Sequence, residues 1–244
     1  MEGTQTVGGF GRMDAVSAHS HAISDAFKGA ASPYQPVRVR HLRRSELPAA
    51  TIALARFLIG KIIVRELPAG RMAGRIVETE AYPPRDPAAH HFRGPTPRNH
   101  SLFLRRGHAY VYFTYGNHFM LNVSSEAPGV GGGVLLRALE PIEGIDQMKR
   151  LRATTRLLDL TRGPGRLASA LQIDRSVDGV DLCAPGPLWL GVLSPRHNPP
   201  GNEKSMAHRL GISPRIGITR AAHRLLRFYE RGSRFVSGSA RLRA

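Results

Sequence analysis

The chain has 244 residues, of which 41% are hydrophobic and 22% are charged, as in an ordinary folded globular protein. Thirty-five Lys and Arg residues against 18 Asp and Glu leave a formal net charge of +17. Such an excess favours a polyanionic partner, because neutralising phosphates releases counterions. An anionic membrane surface or a coding bias towards arginine would account for the same balance, so the charge alone names no partner.

The composition argues against a membrane-spanning or disulfide-bonded protein. No apolar run approaches the ~20 residues that a membrane span needs. The single cysteine, Cys183, excludes an intramolecular disulfide and offers no zinc-finger spacing. These features predict a reducing, cytoplasmic location.

The chain is predicted to consist of a tail and one domain. Residues 1–36 are rich in Gly, Ser, Ala and His without a sustained period, which indicates a disordered extension, and residues 37–244 form the domain. The domain is expected to begin with a helix over Ala49–Ile59, led by Ser45 as capping residue and stopped by Gly60. A strand over Lys61–Glu66 follows.

The middle of the chain has the β-branched, aromatic and apolar composition of strands bounded by Gly, Pro and Asn. The predicted strands are Arg75–Tyr82, Ala109–Tyr115, Phe119–Ser125 and Val134–Leu139. Beyond them we expect helices over Ile142–Arg152 and Gly165–Leu171, a long loop over Ser194–Pro214, and a final strand or strand pair over Arg227–Ser237. The predicted class is α+β, with a single mixed domain around a mainly antiparallel sheet.

Two glutamates at the end of one predicted strand are the first candidates for chemistry. Alternation along the strand places Glu78, Glu80 and Tyr82 on one face, which would be costly for two carboxylates if that face were buried. A solvated strand face is the ordinary alternative. Asn122 and Arg137 each interrupt an apolar strand, and a polar group in such a place needs partners or a function.

Four blocks of sequence resemble, in order, the core signature of the alkyladenine (3-methyladenine) DNA glycosylase family: Arg75-Ile-Val-Glu-Thr-Glu-Ala-Tyr82, Thr96–Asn99, Tyr110–Gly116 and Val134–Pro141. Three shorter blocks extend the resemblance over about His41 to Ser237: Gly163-Pro164, Arg215-Ile-Gly-Ile218 and Arg227-Phe-Tyr229. The resemblance implies a curved antiparallel sheet with surrounding helices, and a monomer that needs no metal or other cofactor. It implies double-stranded DNA containing damaged purines as the partner, and nucleoid association in a bacterial cell.

The activity that the resemblance implies is base excision. An alkylated or deaminated purine would be flipped out of duplex DNA, and its N-glycosidic bond hydrolysed. Glu80 matches the carboxylate that positions and deprotonates the attacking water. Arg137 matches a basic residue that helps to hold that water and the flipped nucleotide. Because a departing purine leaves cationic character on the sugar, a carboxylate in this place suits the chemistry.

Other residues match positions that hold the base and the DNA. Tyr82, His90 and Tyr112 match the walls that sandwich the flipped base, and Asn122 matches a residue that crowds the amino group of normal guanine. Three residues are expected on the DNA itself: Tyr115 as the side chain that fills the gap in the helix, with Thr96 and Arg98 on the backbone. From composition alone, Tyr82 and Tyr112 would be core tyrosines and His90 a surface loop histidine.

Two other readings of the sequence make different predictions. The segment Leu160-Thr-Arg-Gly-Pro-Gly165 loosely resembles the hairpin of helix-hairpin-helix glycosylases, for which Asp174 would be the aspartate, but that architecture is largely helical. A non-catalytic nucleic-acid-binding module would use the basic surface without releasing bases. No lysine lies near the predicted pocket, so an amine nucleophile is not expected and the predicted product is an abasic site with an intact backbone.

Overall fold

A computed structural model describes residues 38–114, 116, 118–194 and 209–238. The predicted extension over residues 1–36 and the predicted wedge Tyr115 lie outside those ranges. The described part of the chain forms nine strands: β1 (Val39–His41), β2 (Ile62–Leu67), β3 (Gly70–Tyr82), β4 (Ala109–Thr114), β5 (His118–Ser124), β6 (Gly133–Glu143), β7 (Leu188–Leu193), β8 (Leu210–Ser213) and β9 (Arg227–Glu230). It also forms three α-helices: α1 (Thr51–Leu58), α2 (Ile145–Arg152) and α3 (Pro164–Ala170).

The strands form one antiparallel sheet that is not closed. Its order is β1-β7-β2-β3-β6-β5-β4, and β9 pairs with both β3 and β8. Strand β3 is central, because β6 lies along one edge while β2 and β9 share the other, β9 beside Glu78–Glu80. The predicted α+β class with a mainly antiparallel sheet is confirmed.

One face of the sheet packs against the hydrophobic core, and the other face lines a cavity. Alternate residues such as Ala109, Val111 and Leu121 join the main hydrophobic core, to which all three helices contribute. Their strand neighbours, among them Tyr110 and Asn122, line a cavity. Because side chains alternate along a strand, these neighbours point to the face away from the core. The same short period therefore builds both the core and the cavity.

Two irregularities in the pairing of β3 with β6 change this alternation beside Glu78. Ile76 pairs with Leu139 and Glu78 with Ala138, so Val77 is an extra residue on β3. Thr79 then pairs with Leu136, so that Arg137 is an extra residue on β6. Bulges re-aim side chains that a regular ladder would hold in register. Here they bring Arg137 beside the carboxylates of β3.

Several predicted boundaries are wrong for identifiable reasons. The helix predicted from Ile142 begins at Ile145, because Pro141 and Glu143 pair with β3 and Gly144, at φ 71°, ends the strand. The loop predicted over Ser194–Pro214 contains β8, in which Gly211 lies so close to the Tyr229 ring that a Cβ would be 2.3 Å from it. Residues 195–208 of that loop lie outside the described residues.

Other elements differ from the prediction at the ends of the domain. Strands β1 and β7 were not predicted, and they pair with each other at the sheet edge. The final strand ends at Glu230, before Gly232, which has φ 79°. Among the described helices, none is long and apolar enough to cross a bilayer.

Helix α1 is capped by a residue distant in sequence and not by the predicted Ser45. Ser45 lies in a separate short 3₁₀ turn, and Ala50 at the helix start has no capping side chain. The Glu126 carboxylate accepts hydrogen bonds from the Thr51 backbone N–H at 2.8 Å and from its hydroxyl at 2.7 Å. A carboxylate at this position also interacts favourably with the helix dipole.

We therefore expect Glu126→Ala to lower the free energy of unfolding by about 1 kcal/mol, as loss of a helix cap usually does. Thermal unfolding should shift down by roughly 2–4 °C for a chain of this size. Asp146→Ala is the matched control, since Asp146 lies in the first turn of α2, is exposed and pairs with Lys149 three residues later. Equal shifts for the two variants would contradict the capping role of Glu126.

Candidate active site

A cavity of about 320 Å³ opens on the sheet face away from the core. That volume lies within the range of small-molecule sites, ~300–1,000 Å³. Strands β3 to β6 supply most of its wall, and two loops close it. The cavity lining includes polar and aromatic residues from these strands and loops, and one loop isoleucine: Tyr82, His90, Tyr110, Tyr112, Asn122, Arg137 and Ile216.

One side of the cavity is an aromatic wall. The rings of Tyr110 and Tyr112, two residues apart on β4, stack at 5.4 Å with an interplanar angle of 28°. His90 packs edge-on against Tyr112 at 4.4 Å, and its Nδ1 is 2.9 Å from the Tyr110 hydroxyl. Buried Asn99 holds this loop in place, because its amide donates to the His90 carbonyl at 2.9 Å. The result is a preformed surface on which a flat ring can stack.

The neighbouring His91 is directed differently from His90. It also lines the cavity, but its Nε2 lies 3.1 Å from the Pro83 carbonyl oxygen and its ring packs against Phe103. Desolvation of the His90 ring, together with Arg98 and His91, lowers the pKa of His90. His90 is therefore a neutral ring at neutral pH, and it is the histidine that joins the aromatic wall.

Glu78 is completely buried and its carboxylate accepts four hydrogen bonds. Its carboxylate accepts hydrogen bonds from Arg227 Nε at 2.7 Å, from Arg137 Nε at 3.0 Å, and from the N–H and hydroxyl of Ser237 at 2.6 and 2.9 Å. Three of these four hydrogen bonds are to Oε1, and the one from the Ser237 N–H is to Oε2. The sequence alternative of a solvated strand face is wrong, since both glutamates are 0% exposed.

Glu80 has fewer partners than Glu78. Its Oε1 accepts from the Ile216 backbone N–H at 2.7 Å and forms an ion pair with Arg137 Nη1 at 3.2 Å. Its Oε2 accepts from the Tyr82 hydroxyl at 2.9 Å. Glu80 itself is not part of the cavity lining, but all three of these partners are.

Arg137 contacts both carboxylates, and their charge affects the pKa of Arg137 and that of Tyr82. Burial alone would lower the pKa of Arg137, but Glu80 and Glu78 outweigh it and the pKa is raised. Burial and the adjacent Glu80 charge raise the pKa of Tyr82. Both effects keep Tyr82 a neutral hydroxyl that donates to Glu80, and Arg137 a cation.

The remaining predicted residues occupy distinct places. Asn122 lines the cavity, and its amide donates to the Tyr110 carbonyl at 3.2 Å across the β4–β5 pairing. Thr96 and Arg98 are exposed and line an adjoining cleft that shares His90 and Tyr110 with the cavity. Tyr115, which follows β4 in the sequence, lies outside the described residues.

Sequence reasoning missed part of the site. Tyr110 could have been found, since it lies two residues before Tyr112 on the same strand. Ile216 gave no signal, because its contribution to Glu80 is a backbone N–H. Asp174, the aspartate of the helix-hairpin-helix alternative, caps a 3₁₀ turn by accepting from the Ser176 N–H at 2.8 Å. The nine-stranded sheet is also incompatible with that largely helical architecture.

A metal site would need several His, Cys, Asp or Glu side chains close together. Within residues 38–194 and 209–238, apart from positions 115 and 117, no group of three or more His, Cys, Asp or Glu side chains could hold a metal ion. The ionisable groups beside the cavity are instead paired with one another. The site as described is therefore built from aromatic rings, two carboxylates and buried guanidinium groups.

Comparison with known proteins identifies related sequences over most of the chain. The family model for methylpurine-DNA glycosylase (MPG) matches residues 45–234. A protein of Mesorhizobium japonicum, named as a 3-methyladenine DNA glycosylase, is 62% identical over 197 residues, covering 81% of this chain and 90% of its own. Similarly named proteins of Paraburkholderia phytofirmans and Methanoculleus marisnigri are 50% and 45% identical, over 82% and 78% of this chain and 90% and 98% of their own.

The two glutamates should differ in their effect on stability. Glu78→Gln should lower the free energy of unfolding by about 3–5 kcal/mol, because Arg227 loses the carboxylate that it pairs with while it stays buried. Glu80→Gln should cost only about 1–2 kcal/mol, since Arg137 keeps Glu78 and glutamine still accepts from Ile216. Urea unfolding of both variants measures the difference. A larger loss for Glu80→Gln would reverse our assignment of the structural carboxylate.

Proposed function

The chain belongs to the methylpurine-DNA glycosylase family, whose members are hydrolases that cleave N-glycosyl bonds in DNA, and from this premise we propose that it releases alkylated purines such as 3-methyladenine, and deaminated purines, from duplex DNA. The damaged nucleotide is flipped into the cavity, and Glu80 directs water at its sugar. The enzyme acts as a monomer on double-stranded DNA.

The observation that carries this proposal is the difference between the partners of the two carboxylates. Glu78 accepts four hydrogen bonds, and two of its three partner residues, Arg227 and Ser237, are not part of the cavity lining. Glu80 accepts hydrogen bonds from Tyr82 and Ile216 and pairs with Arg137, and all three line the cavity. Its Oε2 has the Tyr82 hydroxyl as donor and keeps an acceptor position beside it. A water bound there would meet a general base within hydrogen-bond distance. Arg137, which faces both Glu80 and the cavity, would hold the nucleotide on the other side.

The aromatic wall supports recognition of a flipped base. Extrusion from the stack costs a few kcal/mol. Stacking on aromatic side chains returns ~1–3 kcal/mol per base and tolerates several base shapes. Tyr82, Tyr112 and neutral His90 supply such faces, and Tyr110 backs them. Alkylated purines that carry positive charge would gain further from the electron-rich rings.

Two further residues have proposed roles in selection and flipping. Asn122, whose amide is fixed by the Tyr110 carbonyl, would crowd the exocyclic amino group of normal guanine. Tyr115, which lies between β4 and β5 in the sequence, would fill the gap left by the flipped nucleotide. Thr96 and Arg98, exposed beside the cavity, would contact the DNA backbone.

The hydrolysis itself needs no covalent intermediate with the protein. As the purine leaves, positive charge develops on the sugar, and the Glu80 carboxylate stabilises it while it accepts a proton from water. Among the described residues, no lysine lines the cavity. The product is therefore an abasic site with an intact backbone.

Glu80→Gln tests the proposal directly. The variant keeps the size of the side chain but removes the charge and the base, so single-turnover release of 3-methyladenine or hypoxanthine should fall by roughly 10²–10⁴-fold. Abasic sites are measured by alkaline cleavage, and strands left without alkali should stay intact. Lesion binding should persist, because the aromatic wall is unchanged.

Asp146→Asn is the matched control, an exposed carboxylate on α2 that is not part of the cavity lining. It should excise at the parent rate. A folded Glu80→Gln protein that releases bases as fast as this control would refute the role of Glu80. Binding without release by the parent enzyme would favour the non-catalytic module instead.

A further inference from the structure

A second buried ion pair lies behind the cavity wall, outside the residues assigned above. Asp86 and Arg215 both have side chains that are 0% exposed, and Arg215 Nη1 lies 2.9 Å from Asp86 Oδ2. Asp86 Oδ1 also accepts from Arg215 Nη2 at 3.1 Å, which makes the pair bidentate. Removing two charges from water is costly, so we expect a buried pair of this kind to have a structural or functional role that offsets the cost.

Arg215 touches two consecutive parts of the site. Its guanidinium carbon lies 4.5 Å from the centre of the Tyr82 ring, and Nη1 donates to the Ala81 carbonyl at 3.0 Å. The residue that follows it, Ile216, donates its backbone N–H to Glu80. A shift of Arg215 would therefore move both the Tyr82 wall and one of the three donors that orient Glu80.

Asp86 connects the same pair to the opposite loop. Its Oδ1 accepts from the Ala88 backbone N–H at 2.9 Å, in the turn that leads to His90. One carboxylate thus ties the loop before His90 to the loop that carries Ile216. These two loops close the cavity on either side of Tyr82.

We infer that Asp86 and Arg215 are positioning residues of the excision reaction, which set the Glu80 carboxylate and the Tyr82 ring for the flipped nucleotide. This inference rests on the proposed function of Glu80. The pair does not touch the reacting atoms but fixes groups that do. A misplacement of ~1 Å at such groups can cost on the order of 10²-fold in rate.

The geometry of Arg215 favours this role over simple stabilisation. Its Nε–H is buried and has no hydrogen-bond partner in the described part of the chain, so the side chain is not arranged for full satisfaction. Local violations of this kind are expected where a site constrains the fold. Arg224 offers a comparison, since it also pairs with Asp86, at 3.1 Å, but its side chain is 38% exposed, and the contacts with Ala81 and Tyr82 are made by Arg215.

The test combines substitutions at the pair with Glu80→Gln. Arg215→Lys keeps the positive charge beside Asp86 but loses the planar fork, and it should slow saturated single-turnover excision by ~10²-fold. Asp86→Asn should have an effect of the same order. The control Arg224→Gln should stay within about threefold of the parent, as surface substitutions do.

Non-additivity separates positioning from stability. In the Glu80→Gln background, Arg215→Lys should slow excision by a much smaller factor than in the parent, because the carboxylate that it orients is gone. Equal factors in both backgrounds would overturn the inference, as would a parent-like rate for Arg215→Lys. Urea unfolding identifies any variant that fails to fold, and Arg215→Lys carries the test if Asp86→Asn does not fold. A parent-like rate for Glu80→Gln alone would instead refute the proposed function.

Discussion

The site depends on one buried guanidinium. Arg137 binds Glu78 through Nε and Glu80 through Nη1, so a single side chain sets the distance between two carboxylates on the same strand. Two like charges in a low dielectric repel each other, and the guanidinium between them offsets that repulsion. The bulge on β6 is what places Arg137 beside them, because a regular ladder would leave no extra residue at that point.

Glu78 and Glu80 share Arg137 but differ in their other partners. Glu78 accepts hydrogen bonds from Arg137, Arg227 and Ser237, and it thereby ties β3 to β6, to β9 and to the chain after β9. The donors to Glu80, which lies two residues further along β3, belong to the cavity lining. Glu78 thus stabilises the fold, while Glu80, held by Tyr82 and Ile216, is the carboxylate that we propose for the chemistry.

Much of this arrangement could be predicted from local pattern, and the rest could not. Alternation predicted that Glu78, Glu80 and Tyr82 share a face, and the hydrogen bonds of the structure confirm it. Alternation along β4 also places Tyr110 on the same face as Tyr112, and our prediction missed it. The predicted cap of α1, Ser45, was wrong, because the cap comes from Glu126, 75 residues after Thr51. Long-range contacts of this kind leave no periodic signal.

Two further errors have the same physical origin. The helical spacing that begins at Ile142 is real, but pairing of Pro141 and Glu143 with β3 overrides it. A glycine that suggested a loop, Gly211, is in a strand, where the close approach of Tyr229 leaves no space for a side chain. In both cases tertiary packing decided between local structures that the sequence alone allows.

We propose that the Glu80 carboxylate stabilises the positive charge that develops on the sugar. Duplex DNA containing a cationic five-membered-ring abasic analogue, compared with the neutral tetrahydrofuran analogue, measures it directly by equilibrium binding. An enzyme complementary to a cationic transition state should bind the cationic analogue roughly tenfold more tightly or better. The preference should disappear in Glu80→Gln. A preference that is the same in the parent and in Glu80→Gln would contradict this role of Glu80.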